Sequence, residues 1–365
     1  MKTSAFAYKT IIDIVEDCRK RNLPLEFNED IRALYEPFDL NGRMLGNRLA
    51  VHPMEGSDAS SDGRPGDLTF RRWKRFATGG AKIIWGEAAA VIPEGRSNPR
   101  QLVMRKENTA AVAELVKNAR QVHRQAFGTN DNLLIGIQLT HAGRHCFEKP
   151  AIVFHSPVHD RFSFLDKRAG TPLPPDYPVV TDAFLESLED RFVDAAHVAR
   201  DAGFDFVDIK QCHSYLLNEL LAARPRDGKY GGTFENRTRL IRNIFKKIRD
   251  AFGDDILLAS RLNVHDGVPF ARDPETGIGK PLHDGLVFWQ WGDDPADPQK
   301  EDLSEPKKLV GALKELGLDI LSISAGSPYW SAHFVRPFSK PVDGGYHSPE
   351  HPLEGVTRLF RITGE

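Results

Sequence analysis

The sequence predicts an α/β fold built on a parallel sheet, a (β/α) barrel rather than a doubly wound sheet. Three observations carry this. Short apolar runs of β type alternate with longer amphipathic helical patterns along most of the 365 residues. The helical segments close on glycine. No G-x-G-x-x-G follows any apolar run, whereas a Rossmann sheet places one after an early strand.

In chain order, the strand runs are NRLAVHPM (47–54), AKIIWGEAAAV (81–91), LLIGIQL (133–139), FDFVDIKQ (204–211), ILLASRL (256–262) and LDILSIS (318–324). Each is short and mostly apolar, as expected of parallel strands covered on both faces. Segment 109–126 puts Val112, Val116, Ala119 and Val122 on one helical face and stops at Gly128. Segment 184–202 does so with Leu185, Leu188, Phe192, Ala196 and Ala199, ending at Gly203. Segment 235–252 carries Ile241, Ile244, Ile248 and Ala251 up to Gly253. Segment 305–316 carries Leu309, Leu313 and Leu316, from Ser304 to Gly317. Three stretches rich in Pro, Gly and Asp interrupt the alternation: 145–182, 263–303 and 326–353. All follow strands, on the side where barrel enzymes build their sites.

Charge and composition exclude several classes. Lys plus Arg is 49 and Asp plus Glu is 51, a net charge of −2, with the charges scattered. That balance argues against a nucleic-acid or anionic-membrane binder. No apolar run of about 18 residues exists to span a membrane. The N-terminus reaches Asp13 and Glu16 before a signal-peptide core is complete. Cys18, Cys146 and Cys212 are too few and too dispersed for a disulfide framework or a metal cluster. The expectation is a cytoplasmic protein without a bound metal.

Polar residues recur where the runs end. Glu55 follows the first. Glu87 and Ala88 lie late in the second. Gln138, His141 and Arg144 close the third. Lys210, His213 and Tyr215 follow the fourth, Arg261 ends the fifth, and Ser324 and Gly326 the sixth. In a barrel these positions converge on one mouth. Singly, each has a plainer reading: Gln138 caps a strand, His213 is a hydrogen-bonded core histidine, Tyr215 packs. Arg261 on an apolar strand needs a counter-ion, and a carboxylate or an anionic ligand serves equally. Their joint placement points to a site. A metal hydrolase using His141, His145 and His213 lacks a carboxylate at ligand spacing.

Several segments resemble the Old Yellow Enzyme family of FMN-dependent oxidoreductases. They are LYEPFDLNGRMLGNRLAVHPM (34–54), GAKIIWGEAAAV (80–91), IGIQLTHAGR (135–144), KQCHSYLLNELLAARPRDGKYGGTFENR (210–237) and SRLNVHDG (260–267). They occur in family order, and the Y-G-G-x-x-E-N-R run from Tyr230 to Arg237 is the most specific. The resemblance implies a TIM-type (β/α)8 barrel with FMN at its mouth and NAD(P)H as reductant. Met54 and Glu55 would lie by the flavin, Ala88 and Gln138 at its pyrimidine side, and Arg261 at the N1–C2 edge where reduction accumulates negative charge. Lys210 and His213 would donate to a substrate oxygen. Tyr215 would give the proton in the reduction of an activated alkene.

The sequence departs from the family at two of these positions. Residue 210 is usually His in the ene-reductases and is Lys here. Residue 55 is commonly Thr or Cys and is Glu here. A lysine favours a carboxylate or other anionic substrate over a neutral carbonyl. Glu55 opposes a reduced flavin unless it is protonated or paired, and Lys210 is a candidate partner. The H-S-Y form also resembles the amine-dehydrogenase and demethylase branches. The family carries two more strand–helix units than the six counted here, with loops that hold the FMN phosphate. The expected organisation is therefore a helical extension over 1–33 and a C-terminally incomplete FMN-binding barrel over 34–365. A flavin enzyme acting on a small molecule, an amine oxidiser and a remnant without FMN all stay open, as does homo-oligomerisation.

Overall fold

The computed structural model describes residues 8–157, 159–167, 169–282 and 290–365. All six runs form strands of one parallel sheet. We label them β1 (Ala50–Val51), β2 (Ile83–Ile84), β3 (Ala88–Ala90), β4 (Leu134–Thr140), β5 (Phe206–Ile209), β6 (Leu257–His265) and β7 (Leu318–Ala325). The order is β7-β6-β5-β4-β2-β1, with β3 also pairing β4. Sequence neighbours are spatial neighbours, as in a barrel wall.

The 81–91 run is split into two strands at Gly86. Gly86 has φ +70°, and a Cβ there would come within 2.4 Å of the Gly136 carbonyl oxygen. The chain kinks where two backbones touch. Further down the wall, Ile83, Trp85, Leu134, Phe206, Leu257 and Ala259 form a common core with Leu45. The bare Gly136 on β4 makes room for the Phe206 ring, which a Cβ would meet at 2.2 Å.

Helices Thr109–Phe127, Asp182–Asp201 and Ser304–Glu315 occupy the predicted segments. The predicted 235–252 helix is divided into Phe234–Arg237 and Arg239–Phe252. One helix, Asp67–Thr78, was not anticipated. It buries only Thr69, Trp73 and Ala77 among its charges, too sparse an apolar stripe to register as a period. The three long stretches carry small elements of their own. A hairpin of Phe164–Asp166 and Thr171–Pro172 lies in the first. A hairpin of Phe270–Arg272 and Gly279–Pro281 lies in the second, whose residues 283–289 fall outside the described residues. The turn Ala332–Val335 lies in the third.

By internal packing the chain divides into two units. One comprises Ile31–Leu262 and Lys307–Ser322; the other comprises Met1–Asp30, Asn263–Pro306 and Ile323–Glu365. The first holds β1 to β5 and the leading parts of β6 and β7. The second includes helix Ile11–Lys20, closed by a Thr10–Asp13 capping box, and helix Pro352–Gly364. No helix among the described residues is long and apolar enough to cross a membrane.

Candidate active site

Every residue of the site lies in the first unit. Strand register builds its floor. Ala88 pairs with Gln138, Gln138 with Asp208, and Asp208 with Ala259. In-register residues on parallel strands share a face, so these four form one row. Lys210, just past the end of β5, and Arg261, on β6, stand two residues further on and face the same way one layer higher.

Asp208 organises the floor. It is fully buried, and its Oδ2 accepts from Gln138 Nε2 at 2.6 Å and Trp85 Nε1 at 2.7 Å. Its Oδ1 accepts from the Arg261 backbone N–H at 2.7 Å. Burial pushes its carboxyl above the usual range, and those hydrogen bonds pull the other way. The Gln138 side chain is thereby fixed with its amide nitrogen turned down onto Asp208. Neither Asp208 nor Trp85 was foreseen; a lone acid in the apolar run FDFVDIKQ was the available signal.

Above this floor lie the predicted reactive groups. After β5 the chain turns through His213 and Ser214 at φ +64° and +59°. Left-handed backbone at two successive side-chain-bearing residues costs roughly 1–2 kcal/mol each. The turn is held by Asn218, whose Oδ1 accepts the Ser214 N–H at 2.7 Å, and Tyr215 then caps helix Leu216–Leu221. Strain of this kind aims side chains.

Tyr215 donates its hydroxyl to Glu55 Oε1 at 2.5 Å. Lys210 Nζ lies 3.6 Å from the same oxygen and 3.5 Å from the centre of the Tyr215 ring. The other carboxylate oxygen accepts from Ser97 Oγ, with Asn98 Nδ2 at 3.5 Å. Glu55, Lys210 and Tyr215 thus form one contact cluster, and Lys210 is the partner that pairs Glu55. Ser97 and Asn98 escaped the sequence reading because they lie in the 97–101 turn, with no periodic pattern around them.

His213 is half-buried. Burial, then the charges of Arg261 and Lys210, hold its imidazole well below the ordinary histidine range, so it is a neutral ring. Arg261 also depresses His52, after burial. Met54 stands 68% exposed, apart from the cluster.

Three other strand-end residues are structural. Glu87 is buried against Trp73 Nε1 at 2.8 Å and Arg72 at 2.6 Å. Arg144 is locked to Glu219 and Asp160. Burial holds His141 neutral, its imidazole pushed down to about 4.

A flavin suits what remains. Among the described residues, Arg261 has no carboxylate within ion-pair distance, and its Nε is buried without a hydrogen-bond partner. A cation left this way, on the same wall as the small Ala88 and the fixed Gln138, calls for an anionic, planar ligand.

The comparisons agree with this chemistry. Residues 33–273 match the NADH:flavin oxidoreductase / NADH oxidase family. The chain is similar to the NADPH dehydrogenase of Bacillus pumilus, 28% identical over 298 residues covering 80% of this chain and 73% of that protein. It is similar to the NADPH dehydrogenase of Bacillus subtilis, 27% identical over 303 residues, 81% and 74% of the two chains. In fold it resembles the Old Yellow Enzyme homologue of Zymomonas mobilis, with TM-score 0.61, 19% identity and 90% and 79% coverage. It also resembles morphinone reductase, with TM-score 0.60, 21% identity and 90% and 77% coverage. The chain belongs to the NADH:flavin oxidoreductase / NADH oxidase family and is an FMN-dependent oxidoreductase of Old Yellow Enzyme type, reduced by NAD(P)H.

Proposed function

We propose that the site transfers hydride to an activated alkene whose carbonyl or carboxylate oxygen is held by Lys210 and His213, with Tyr215 giving the proton. Glu55, Ala88, Gln138 and Arg261 would flank the flavin ring, with the exposed Met54 at its edge. FMN, when bound, carries hydride from NAD(P)H to the substrate. The chain's own groups do the rest. Arg261 offsets negative charge on the ring. The Lys210 ammonium and the neutral His213 ring offer two donors where charge grows on the substrate oxygen. Tyr215, 4% exposed, keeps its proton out of bulk water.

The observation that carries this reading is the meeting of Lys210, Tyr215 and Glu55 at the mouth. It also bears on the substrate. Lys210 faces one carboxylate, and Lys167, on the hairpin after β4, feels the charge of that same Glu55. With Arg261 the site has three cations to two carboxylates, Glu55 and the Asp208 buried in the floor, which favours a substrate bearing a carboxylate. Titrating flavin absorbance with a benzoate and with a neutral phenol tests this. Lys210→His should weaken benzoate binding by about 1.5–3 kcal/mol, the value of a charged hydrogen bond. Unchanged preference in the variant refutes the anionic assignment. A cytoplasmic location, self-association and the division into a 1–33 extension and a 34–365 flavin domain complete the proposal, on composition and resemblance alone.

A further inference from the structure

We propose that Glu55 is a relay residue: it acts through Tyr215, restoring the phenol's proton from water after each turnover. The inference deepens the reading above and rests on it.

Tyr215 is 4% exposed, so a proton it gives away is not readily replaced from solvent directly. The Glu55 side chain is 17% exposed and touches the phenol oxygen at 2.5 Å. It therefore spans the distance from the buried donor to water. Its second oxygen is anchored by Ser97 and Asn98, which hold the carboxylate in place.

Charge comes next. Moving a proton between a phenol and a carboxylate leaves one negative charge on either oxygen. Lys210 Nζ lies within 3.6 Å of the carboxylate and 3.5 Å of the ring centre, so it faces that charge in both states. Other groups lie around the pair. His145, on the turn after β4, has its ring centre 6.0 Å from that of Tyr215. Burial and the charges of Arg144, Lys167, His159 and Lys210 keep it neutral. Cys146 packs on Tyr215 and is pushed up to about 12 by burial, hence a thiol. Lys167 is the second cation acting on Glu55. His213 stays neutral beside Lys210 and Arg261.

The step balances as follows. The Tyr215 O–H bond breaks, and its proton joins the substrate α-carbon, whose electron pair forms the new C–H bond. The Glu55 carboxylate takes a proton from a water molecule, whose hydroxide passes to bulk solvent, and releases that proton to the phenolate oxygen. The carboxylate and the phenol are then as they began. The two electrons of the reduction arrive with the hydride of the established activity. In substrate oxidation the same protons travel in reverse.

The test uses flavin-loaded protein and the variants Glu55→Gln, Glu55→Asp and Tyr215→Phe. The first readout is the ultraviolet difference titration of the Tyr215 phenol, with the Tyr215→Phe spectrum subtracted. Removing the carboxylate's charge should make the phenol at least about tenfold easier to ionise in Glu55→Gln. The second is the pH profile of steady-state turnover with NAD(P)H and an α,β-unsaturated ketone, in which the phenol must regain its proton in every cycle. Glu55→Gln should slow turnover by about 10²-fold and flatten its pH dependence, and Glu55→Asp should recover most of the rate. A wild-type pH profile and rate in Glu55→Gln, with Tyr215→Phe slow, overturns the relay alone. A wild-type rate in Tyr215→Phe overturns the tyrosine assignment itself, and the relay with it.

Discussion

Glu219→Gln removes the negative charge from a pair that has no solvent contact, and the structure sets the size of the loss. Arg144 Nη2 and Glu219 Oε1 are 2.6 Å apart with both side chains 0% exposed. Breaking one partner of a buried ion pair typically costs about 3–5 kcal/mol, because the other charge is left without compensation. Arg144 is not wholly abandoned in the variant. Asp160 Oδ1 remains at 3.1 Å from Nη1, Ser163 Oγ at 2.8 Å, and the Phe154 carbonyl at 3.2 Å from Nη2. The cost of Glu219→Gln should therefore lie near the lower end, about 3 kcal/mol. Arg144→Met leaves Glu219 with the Val153 N–H at 3.0 Å, and should reach the upper end, about 5 kcal/mol.

The double variant Arg144→Met/Glu219→Met decides the interpretation. Replacing both charges by apolar chains removes both desolvation penalties, so the pair should couple by several kcal/mol and the loss fall well below the sum. Urea unfolding at neutral pH measures all three, provided the slope is unchanged between variants. Reoxidation by substrate should also slow in the single variants, since Glu219 sits in the helix that Tyr215 caps. A Glu219→Gln loss under about 1 kcal/mol, or strict additivity in the double variant, refutes the reasoning.

Two more outcomes follow from the same structure. Asp208→Ala leaves three donors buried (Gln138, Trp85 and the Arg261 N–H) at about 1–3 kcal/mol each, so the protein should lose stability and purify with less flavin per chain, read from the ratio of flavin to protein absorbance. His155 is lowered by burial but raised more by its bond and charge pairing with Asp160, ending above 6.5. A raised histidine adds stability that is full below 6.5 and lost as pH rises through the folded value, so the urea midpoint should fall with pH above about 6.5 in the wild type and not in His155→Gln.

What could be read from the sequence was whatever is decided locally. Gly128, Gly203, Gly253 and Gly317, taken as helix stops, adopt φ of +79°, +88°, +53° and +88°, values that L side chains avoid. Six apolar runs became strands, one of them split in two, because burial on both faces leaves no polar alternation to confuse the pattern. The Asp67–Thr78 helix was missed because its apolar stripe is narrow, and the break in 81–91 because it depends on the backbone of Gly136, a distant strand. The site divides in the same way. Lys210, His213 and Tyr215 are close in sequence, and a motif reports them together. Glu55 lies 160 residues from Tyr215, and only strand order brings it there. Asp208, Ser97 and Asn98 belong to no motif, since their roles arise from what other strands and turns present to them.

The two departures from the family pattern explain each other. A lysine at 210 with an uncharged residue at 55 would leave Lys210 and Arg261 as neighbouring cations with no anion between them, and each would raise the cost of burying the other. A glutamate at 55 with a neutral residue at 210 would oppose the reduced flavin and any phenolate on Tyr215. Together, at 3.6 Å, the ammonium and the carboxylate cancel most of each other's field, while Arg261 has no carboxylate within ion-pair distance among the described residues. The cancellation is local. From the substrate side the ammonium still presents two N–H donors, and from the phenol side the carboxylate still presents an acceptor. On the proposed reading, one compensated exchange keeps an oxygen-binding cation at position 210, places a carboxylate partner on the proton donor, and leaves Arg261 for the flavin ring.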